Sequence, residues 1–366
     1  MQITAAIART ASADFSIEPL TIENPREGEI LVRITGVGLC HTDLVARDQL
    51  IPIPLPAVLG HEGSGVVEKI GAGVSKVAPG DHVLISFNSC GHCKTCDDHM
   101  PSYCLEFPQR NYTGARMDGT SPLSQEGVKV SGNFFGQSSF ASHAIAHQRN
   151  VVKVDKDLPL ELLGPLGCGL QTGAGGILRS LNCQPGHSVV VFGGGPVGLA
   201  AVMAAKIRKC NPIILVEPLE ARRTLALELG ATHTLDPKAG DLTAAIRAIL
   251  PQGADYGFDS SGRAEVIMAG LAALTSHGVM GLVGVPPKIT DELSFNMAWF
   301  ITYGLRIQGI IEGDSDLDHF LPELLGYYRA GKFPFDRLIK TYKLTEINQA
   351  INAQSRGECV KAVLIP

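Results

Sequence analysis

The sequence is poor in charge and in aromatic side chains, and it has no basic excess. Charged residues make up 18% of the 366 residues, aromatic residues 6%, and the formal net charge is −5. Proteins that bind nucleic acid usually carry clustered positive charge, so this composition disfavours a nucleic-acid partner. A hydrophobic content of 45% suits a globular enzyme that acts on a small molecule.

Two further absences bear on location. The first ten residues lack the charged start, the apolar stretch and the cleavage site of a secretory signal peptide. No uncharged apolar run reaches the ~18 residues that a membrane-spanning helix needs. We therefore expect a cytoplasmic protein that has no membrane partner.

The length and the order of apolar patterns predict two domains. At the usual ~150 residues per domain, the chain is long enough for two hydrophobic cores. The first 150 residues consist of short predicted strands between turns, at 29–34, 65–70 and 81–85. From about residue 185, apolar runs alternate with alanine- and leucine-rich helical stretches, which indicates a parallel sheet. The tail from about 312, with a final strand at 360–365, is expected to rejoin the first domain.

Four cysteines lie close together in a C-x2-C-x2-C-x7-C segment: Cys90, Cys93, Cys96 and Cys104. Four thiolates at this spacing can surround one tetrahedral zinc ion and leave no position for a substrate. The segment therefore predicts a structural zinc site. A disulfide cluster and an iron–sulfur site are alternative interpretations of the same spacing.

A second motif predicts a nucleotide site. Gly193, Gly195 and Gly198 form a G-x-G-x-x-G turn that also contains Pro196 and Val197, and it lies between a predicted strand and a predicted helix. The first two glycines permit a tight turn and the close approach of a pyrophosphate, and the third allows the helix to pack on the sheet. The pyrophosphate would lie at the helix N-terminus.

The residue that ends the next predicted strand bears on the choice of nucleotide. Glu217 follows Gly198 by 19 positions, where a carboxylate can bind the ribose hydroxyls of NAD and would repel the extra phosphate of NADP. Arg222 and Arg223 lie just beyond and are the main argument for NADP, although both can be solvated helix positions. We predict NAD.

Metal-ligand residues are also concentrated earlier in the chain, in segments 38–43 and 59–65. Cys40 and His61 provide a thiolate and an imidazole, and carboxylates lie nearby at Asp43 and Glu62. A lone buried cysteine is more often a small hydrophobic residue. Together, these groups suit a zinc site whose ligands are oriented by neighbouring carboxylates.

With these segments and Pro165–Gly169 in view, the chain resembles the zinc-dependent alcohol dehydrogenases of the medium-chain dehydrogenase/reductase superfamily, along essentially its whole length. The resemblance implies an α/β protein with a β-rich GroES-like catalytic domain at 1–169 and 312–366, which includes a structural zinc lobe at about 86–108. It implies a Rossmann domain, a doubly wound parallel sheet that binds NAD, at 170–311.

The resemblance also implies roles for individual residues. Cys40, His61 and Cys168 would hold a catalytic zinc, Asp43 would orient His61, Thr42 would contact the substrate oxygen, and Glu62 would lie behind the metal. Spacing alone does not single out Cys168. The residues implied at the cofactor are His41, Thr172, Gly193, Gly195, Pro196, Val197, Gly198, Glu217, Arg222, Val283 and Lys361, with His41 and Lys361 near the pyrophosphate.

Within the superfamily, segments 86–93, 134–140, 164–175 and 331–336 are most similar to aryl-alcohol and geraniol dehydrogenases. The implied substrate is a bulky, flat, unsaturated primary alcohol or its aldehyde. Its apolar walls are expected from Phe134, Phe135, Phe140 and Trp299, although each of these residues, taken alone, is more often part of the core.

Other functions stay open on the sequence alone. The chain can be a dehydrogenase of other primary alcohols, secondary alcohols or polyols, or a zinc- and nucleotide-binding protein without catalysis. The resemblance implies two zinc ions per chain and a homodimer or homotetramer.

One position departs from the family pattern. Many relatives pass the substrate proton from the hydroxyl at Thr42, through the cofactor ribose, to a histidine, and the matching position here is Val45. Valine cannot carry a proton, so we expect the proton to reach water or another base, with His41 as a weak candidate.

Overall fold

The computed structural model describes residues 1–366, which form two compact units. Unit 1 comprises Met1–Cys168, Asp316–Glu323 and Asp336–Pro366, and unit 2 comprises Gly169–Ser315 and Leu324–Phe335. The division at Cys168 lies one residue from the predicted boundary.

The tail is divided differently from the prediction, because residues 312–315 and 324–335 belong to unit 2. Hydrogen bonds from two other side chains of unit 2 account for the placement of residues 312–315 in that unit. The Gln171 amide donates to Glu312 Oε2 at 3.0 Å, and Arg179 Nε donates to the Asp314 carbonyl at 2.9 Å.

The strands are numbered in chain order. They are β1 (Gln2–Ala8), β2 (Ser16–Ile22), β3 (Glu29–Gly38), β4 (Ala57–Val58), β5 (Gly63–Ile70), β6 (His82–Ile85), β7 (Leu123–Gln125), β8 (Val128–Val130), β9 (His143–His147), β10 (Val151–Val154), β11 (Val189–Phe192), β12 (Ile213–Val216), β13 (His233–Leu235), β14 (Ala254–Asp259), β15 (Leu274–Leu282), β16 (Arg306–Gly309), β17 (Ile339–Lys343) and β18 (Lys361–Ile365).

The α-helices are short, and none is both long and apolar enough to span a bilayer. They are α1 (His41–Arg47), α2 (Lys94–Asp97), α3 (Phe107–Asn111), α4 (Gly169–Gly175), α5 (Pro196–Ile207), α6 (Glu220–Leu229), α7 (Leu242–Ile249), α8 (Ala264–Ala272), α9 (Met297–Tyr303), α10 (Leu317–Arg329) and α11 (Ile347–Ser355). Short 3-10 turns occur at Pro101–Tyr103, Phe134–Gly136, Gln148–Asn150, Leu160–Leu162, Gly164–Gly167, Glu312–Asp314, Phe335–Leu338 and Leu344–Glu346, and a π-helical turn at Gly176–Ser180.

Unit 1 is built on two sheets. One has the strand order β4-β1-β2-β7-β8, and the other has the order β10-β6-β5-β3-β18-β17, with β9 also paired to β3. The C-terminal strand β18 lies against β3, with Val363 opposite Gly38 and Leu364 opposite Val37. Because β3 leads directly into Cys40, this pairing brings the C-terminal tail to the predicted metal ligands.

Unit 2 contains one six-stranded parallel sheet with the order β13-β12-β11-β14-β15-β16. Every residue of β11 and β12 is buried, as expected of strands that are covered on both faces. The order matches the doubly wound dinucleotide-binding sheet, in which the first and fourth strands meet where the direction of winding reverses. The predicted α/β class is therefore confirmed, and the glycine turn follows the central strand β11.

Candidate metal centres and nucleotide turn

Three predicted zinc ligands come together in unit 1. One ligand atom from each of Cys40, His61, Cys168 and Glu62 lies within 4.8 Å of the others. His61 Nε2 lies 3.2 Å from Cys168 Sγ. A zinc ion bound to both at tetrahedral angles would hold these two atoms about 3.5 Å apart, so the donor set and its spacing fit zinc.

The Asp43 carboxylate orients two of these ligands. Its Oδ2 accepts from the Cys40 backbone N–H at 3.0 Å, and its Oδ1 lies 2.8 Å from His61 Nδ1 and accepts from Gly60 N–H at 3.1 Å. Asp43 and the His61 ring are fully buried. With Nδ1 donating its proton to Asp43, the lone pair of Nε2 is directed at the thiolates, which is the tautomer that a metal requires.

Cys168 reaches the centre through a glycine-containing turn. A side chain at Gly164 would overlap the Glu62 carbonyl oxygen, and one at Gly167 would overlap the Ile85 carbonyl oxygen. Ser86 Oγ donates to the Gly167 carbonyl at 2.5 Å. This close approach of Gly164–Gly167 to Glu62, just before β5, and to Ile85 of β6 fixes Cys168, although 107 positions separate it from His61.

The centre is arranged to hold a positive charge. Hydrogen bonding with Cys168, together with the charges of His61 and Lys361, lowers the pKa of the buried Cys40 thiol well below its ordinary value. Burial alone would lower the pKa of His61, but the negative charges of Asp43 and Cys40 raise it well above the usual range. A cation bound among the thiolates would replace the proton of the imidazole.

Glu62 lies in the same cluster and forms a buried ion pair. Its Oε2 lies 2.5 Å from Lys361 Nζ, which also donates to the Leu39 carbonyl at 2.9 Å. Burial raises the pKa of Glu62 to about 7, although the charge of Lys361 opposes this shift. Lys361 is predicted at the cofactor pyrophosphate, whereas the structure directs its ammonium group at Glu62.

Three residues hold His61 from the other side: Phe134 and Phe135, which the sequence predicted only as substrate walls, and Gln137, which sequence reasoning did not identify. The Phe135 ring stacks on the imidazole, with centroids 4.4 Å apart, and Phe134 meets it edge-on at 5.5 Å. The Gln137 amide donates to the His61 carbonyl at 2.8 Å and accepts from the Gly63 N–H at 3.0 Å. Phe135 has φ of 49°, which is an uncommon backbone conformation for a bulky residue. No sequence pattern predicts this conformation.

The remaining predicted residues of this region lie in α1 or in the core. Thr42 Oγ1 is 3.7 Å from Cys40 Sγ, His41 is exposed, and Val45 is buried.

Two of the predicted substrate walls pack within or against the core. Phe140 is fully buried and packs against Phe15, with ring centroids 5.8 Å apart. Trp299 lies in α9 of unit 2, where it packs against the core.

The four-cysteine segment forms a second cluster, also in unit 1. The Sγ atoms of Cys90, Cys93, Cys96 and Cys104 all lie within 4.8 Å of one another. The separations of 3.9 Å for Cys90–Cys96 and 3.5 Å for Cys93–Cys96 bracket the ~3.8 Å between thiolates around a tetrahedral zinc. Disulfide-bonded sulfurs are about 2 Å apart, and all nine cysteines are free thiols, so the disulfide alternative does not hold.

Backbone N–H groups point at these sulfurs and favour their thiolate forms. Cys90 N–H donates to Cys104 Sγ at 3.2 Å, and Cys93 N–H donates to Cys90 Sγ at 3.3 Å. The Thr95 hydroxyl and nearby N–H groups lower the pKa of Cys93 to about 5, whereas burial raises the pKa of Cys96 to about 12. Metal binding here must therefore release protons.

The glycine turn in unit 2 has the geometry of a phosphate site. Gly193 adopts φ of 98°, which favours glycine, and Pro196 begins the 12-residue helix α5. A side chain at Gly198 would overlap the Gly193 carbonyl oxygen, whereas one at Gly195 would point into open space. The open space at the helix N-terminus fits a pyrophosphate, which such termini bind through free N–H groups.

The predicted ribose-binding carboxylate lies beside this turn. Glu217 Oε2 accepts from Gly194 N–H at 2.6 Å, and Oε1 accepts from Leu219 N–H at 2.9 Å. Arg223 is engaged locally, because it donates to the Glu217 and Pro218 carbonyls at 2.8 Å. Arg222 Nε is buried with no hydrogen-bond partner. Thr172 in α4 and Val283 after β15 are both partly buried in unit 2.

Comparisons with known proteins agree with this geometry. The family "Alcohol dehydrogenase GroES-like domain" matches residues 26–156, and "Zinc-binding dehydrogenase" matches residues 196–325. The geraniol dehydrogenase of Castellaniella defragrans is 48% identical over 363 residues, which cover 99% of this chain and 97% of that protein.

Two crystal structures are similar over the whole chain. An alcohol dehydrogenase zinc-binding domain protein from Burkholderia ambifaria has a TM-score of 0.98 and 48% identity, covering 100% of this chain and 99% of that one. Benzyl alcohol dehydrogenase from Acinetobacter calcoaceticus has a TM-score of 0.96 and 43% identity, with the same coverage.

The two candidate metal centres can be separated by metal counting. We expect Cys40→Ser to lower the zinc content by one ion per chain and to abolish turnover, because the oxygen ligand binds zinc poorly in place of a thiolate. Elemental analysis of the dialysed protein measures this, with Cys359→Ser as the control outside both clusters. A zinc content equal to that of the wild type in the Cys40 variant would contradict the assignment.

The buried ion pair predicts a coupling between Glu62 and Lys361. Lys361→Met should lower the free energy of unfolding by about 3–5 kcal/mol, because it leaves a buried carboxylate without its partner. The double variant Glu62→Gln/Lys361→Met should recover most of this loss. Denaturant unfolding of the zinc-loaded protein measures both, and equal instability of the single and double variants would exclude the pairing.

The glycine turn provides a matched pair of substitutions. Gly195→Ala should leave thermal stability unchanged but weaken nucleotide binding about 10- to 100-fold, because the new methyl group fills the phosphate site. Gly198→Ala should lower thermal stability, because its methyl group meets backbone. NADH fluorescence titration and thermal unfolding test both. Unchanged NADH affinity in the Gly195 variant would refute the predicted site.

Proposed function

Because the chain belongs to the zinc-dependent alcohol dehydrogenases, we propose that it transfers hydride between NAD and a bulky aryl or allylic primary alcohol or aldehyde. The observation that carries this proposal is the convergence of Cys40, His61 and Cys168 on one point, with Glu62 beside them. A protein that only binds nucleotide has no need of a three-ligand zinc site with a free position.

The chemistry divides between the metal and the chain. A zinc ion at this centre supplies Lewis acidity, which lowers the pKa of an alcohol hydroxyl. Cys40, His61 and Cys168 would hold the ion, and Asp43 keeps the imidazole in the required tautomer. The Thr42 hydroxyl, 3.7 Å from Cys40 Sγ, would take the substrate proton toward the cofactor ribose. Because Val45 cannot accept it, the proton leaves to water or to another base such as the exposed His41.

Aromatic residues beside the metal ligands support a flat, unsaturated substrate. Phe134 and Phe135 flank the His61 imidazole and make its surroundings apolar. Apolar, aromatic-lined sites favour substrates that bury large planar surfaces. The identities of 48% to a geraniol dehydrogenase and 43% to a benzyl alcohol dehydrogenase support the same substrate class.

The proposed cofactor is NAD. The Glu217 carboxylate lies at the glycine turn, where it would accept from ribose hydroxyls and repel a 2′-phosphate. Arg223 is engaged by backbone carbonyls and by Asp236, which reduces its availability to a phosphate. The partly buried Arg222 is the residue that argues for NADP.

We further infer two zinc ions per chain, a cytoplasmic location and a homodimer or homotetramer. Both clusters depend on free thiols, which persist in reducing compartments and support the cytoplasmic location.

Two features of unit 2 support the oligomer. The strand β16 lies at the edge of the sheet, and the side chains of Met297 and Ile301 in α9 form an exposed apolar patch. A second copy of the chain would cover both the sheet edge and the patch.

A substrate and cofactor panel tests the proposal. We expect kcat/KM for benzyl alcohol, cinnamyl alcohol or geraniol to exceed that for ethanol by about 100-fold or more, because each additional buried carbon group contributes 10-fold or more. NAD should be preferred over NADP, and Glu217→Gln should reduce this preference. Highest activity with a polyol or secondary alcohol would overturn the substrate class, and a complete lack of turnover would favour a binding protein.

A further inference from the structure

A third group of metal-ligating side chains lies in unit 1, outside both zinc centres. His99 follows the last residues of α2, Asp316 immediately precedes α10, and His319 is in the first turn of that helix. Both imidazoles face the same carboxylate oxygen. His99 Nδ1 lies 3.0 Å from Asp316 Oδ2, and His319 Nδ1 lies 3.9 Å from that atom.

These separations are close to those of a metal site. Bonds of about 2.0–2.2 Å at tetrahedral angles place a nitrogen and an oxygen ligand about 3.4 Å apart, a value between the two observed distances. The same bonds would place two imidazole centroids about 5 Å apart, compared with the 6.0 Å found between His99 and His319. The three ligand atoms are not yet within coordinating distance of one another, so both imidazoles must move by about 1 Å or more to complete the site.

The side chains that must move are the exposed ones. The His99 and His319 side chains are 75% and 69% exposed, whereas the Asp316 side chain is 18% exposed. The backbone of Asp316 is held because its carbonyl accepts from the N–H groups of His319 and Phe320. Phe320 is fully buried and anchors this turn in the core. The site thus has an acidic ligand on an anchored backbone and two exposed imidazoles that can rotate.

Neighbouring charges leave the Asp316 carboxylate available. Lys76, which lines the same cavity as Asp316, pairs with Asp318 at 2.5 Å instead. Asp316, Lys76 and Asp318 line a cavity of about 330 Å³, which also contains Arg149. The cavity gives water access to the carboxylate, and water can complete the coordination of an ion that has three protein ligands.

We propose that His99, Asp316 and His319 form a third metal site, for zinc or another divalent transition metal. Two imidazoles and one carboxylate suit Zn²⁺, Ni²⁺ or Cu²⁺, whereas Mg²⁺ and Ca²⁺ prefer oxygen ligands throughout. The ion would cross-link the segment that follows Cys96 to the start of α10. Its role is therefore to stabilise the four-cysteine lobe, independently of the proposed dehydrogenase activity.

The test uses the full-length enzyme with both thiolate centres loaded with zinc. Titration with Zn²⁺, followed by calorimetry and by equilibrium dialysis, should show one additional ion per chain. His99→Ala and His319→Ala should each weaken this binding by about 100-fold or more, because even indirect partners of a metal contribute 10- to 100-fold. Asp316→Asn should do the same while keeping a residue that caps helices well.

The controls separate a metal site from surface binding. His187→Ala removes the imidazole of a His–Asp pair with a 3.9 Å separation in unit 2 and should leave Zn²⁺ binding unchanged. Added Zn²⁺ should raise the thermal unfolding midpoint of the wild type and of the His187 variant, but not that of the three site variants. Absence of the additional ion, or wild-type affinity in both the His99 and His319 variants, would overturn the proposal.

Discussion

The Asp43 carboxylate is the group on which the three-ligand centre depends. A buried carboxylate is costly unless its oxygens are satisfied, and here they accept from the N–H groups of Cys40 and Gly60 and from the His61 ring. These bonds fix the start of α1, the turn before β5 and the imidazole relative to one another. Asp43 also lies in the first turn of α1, where the helix dipole favours a negative charge. Two of the predicted metal ligands are therefore oriented by one side chain.

The charge of the centre connects it to the C-terminal tail. The thiolates of Cys40 and Cys168 lie near the carboxylate of Glu62, and Lys361 provides the compensating ammonium group of the chain. Lys361 is the first residue of β18, which pairs with β3, so this compensation requires the tail to be in its sheet. Folding of the tail and assembly of the metal centre are consequently linked. The ion pair alone does not neutralise two thiolates, which is why the cluster favours a divalent cation.

Features confined to one segment were predictable from the sequence. The four cysteines and the glycine turn lie in short stretches whose spacing sets their geometry, and the strand–helix alternation predicted the parallel sheet. Cys168 was implied only by family resemblance, because its place depends on glycines packed against distant strands. The pairing of Lys361 with Glu62 depends on how β18 pairs with β3, and the stacking of Phe135 depends on a left-handed backbone. Neither leaves a local pattern. The placement of 324–335 in unit 2 also arises from tertiary packing.

The left-handed backbone at Phe135 has a physical consequence for His61, the predicted metal ligand beside it. Such a conformation costs of order 1–3 kcal/mol and persists only where surrounding contacts enforce it. Ser138 Oγ supplies one of these contacts by bonding to the Val58 carbonyl at 2.6 Å, and Gln137 supplies another at the His61 carbonyl. The result is an aromatic ring, rather than water, against the face of the imidazole. Excluding water lowers the local dielectric and strengthens the interaction between His61 and Asp43. The strain at Phe135 thus reinforces the orientation that the carboxylate imposes.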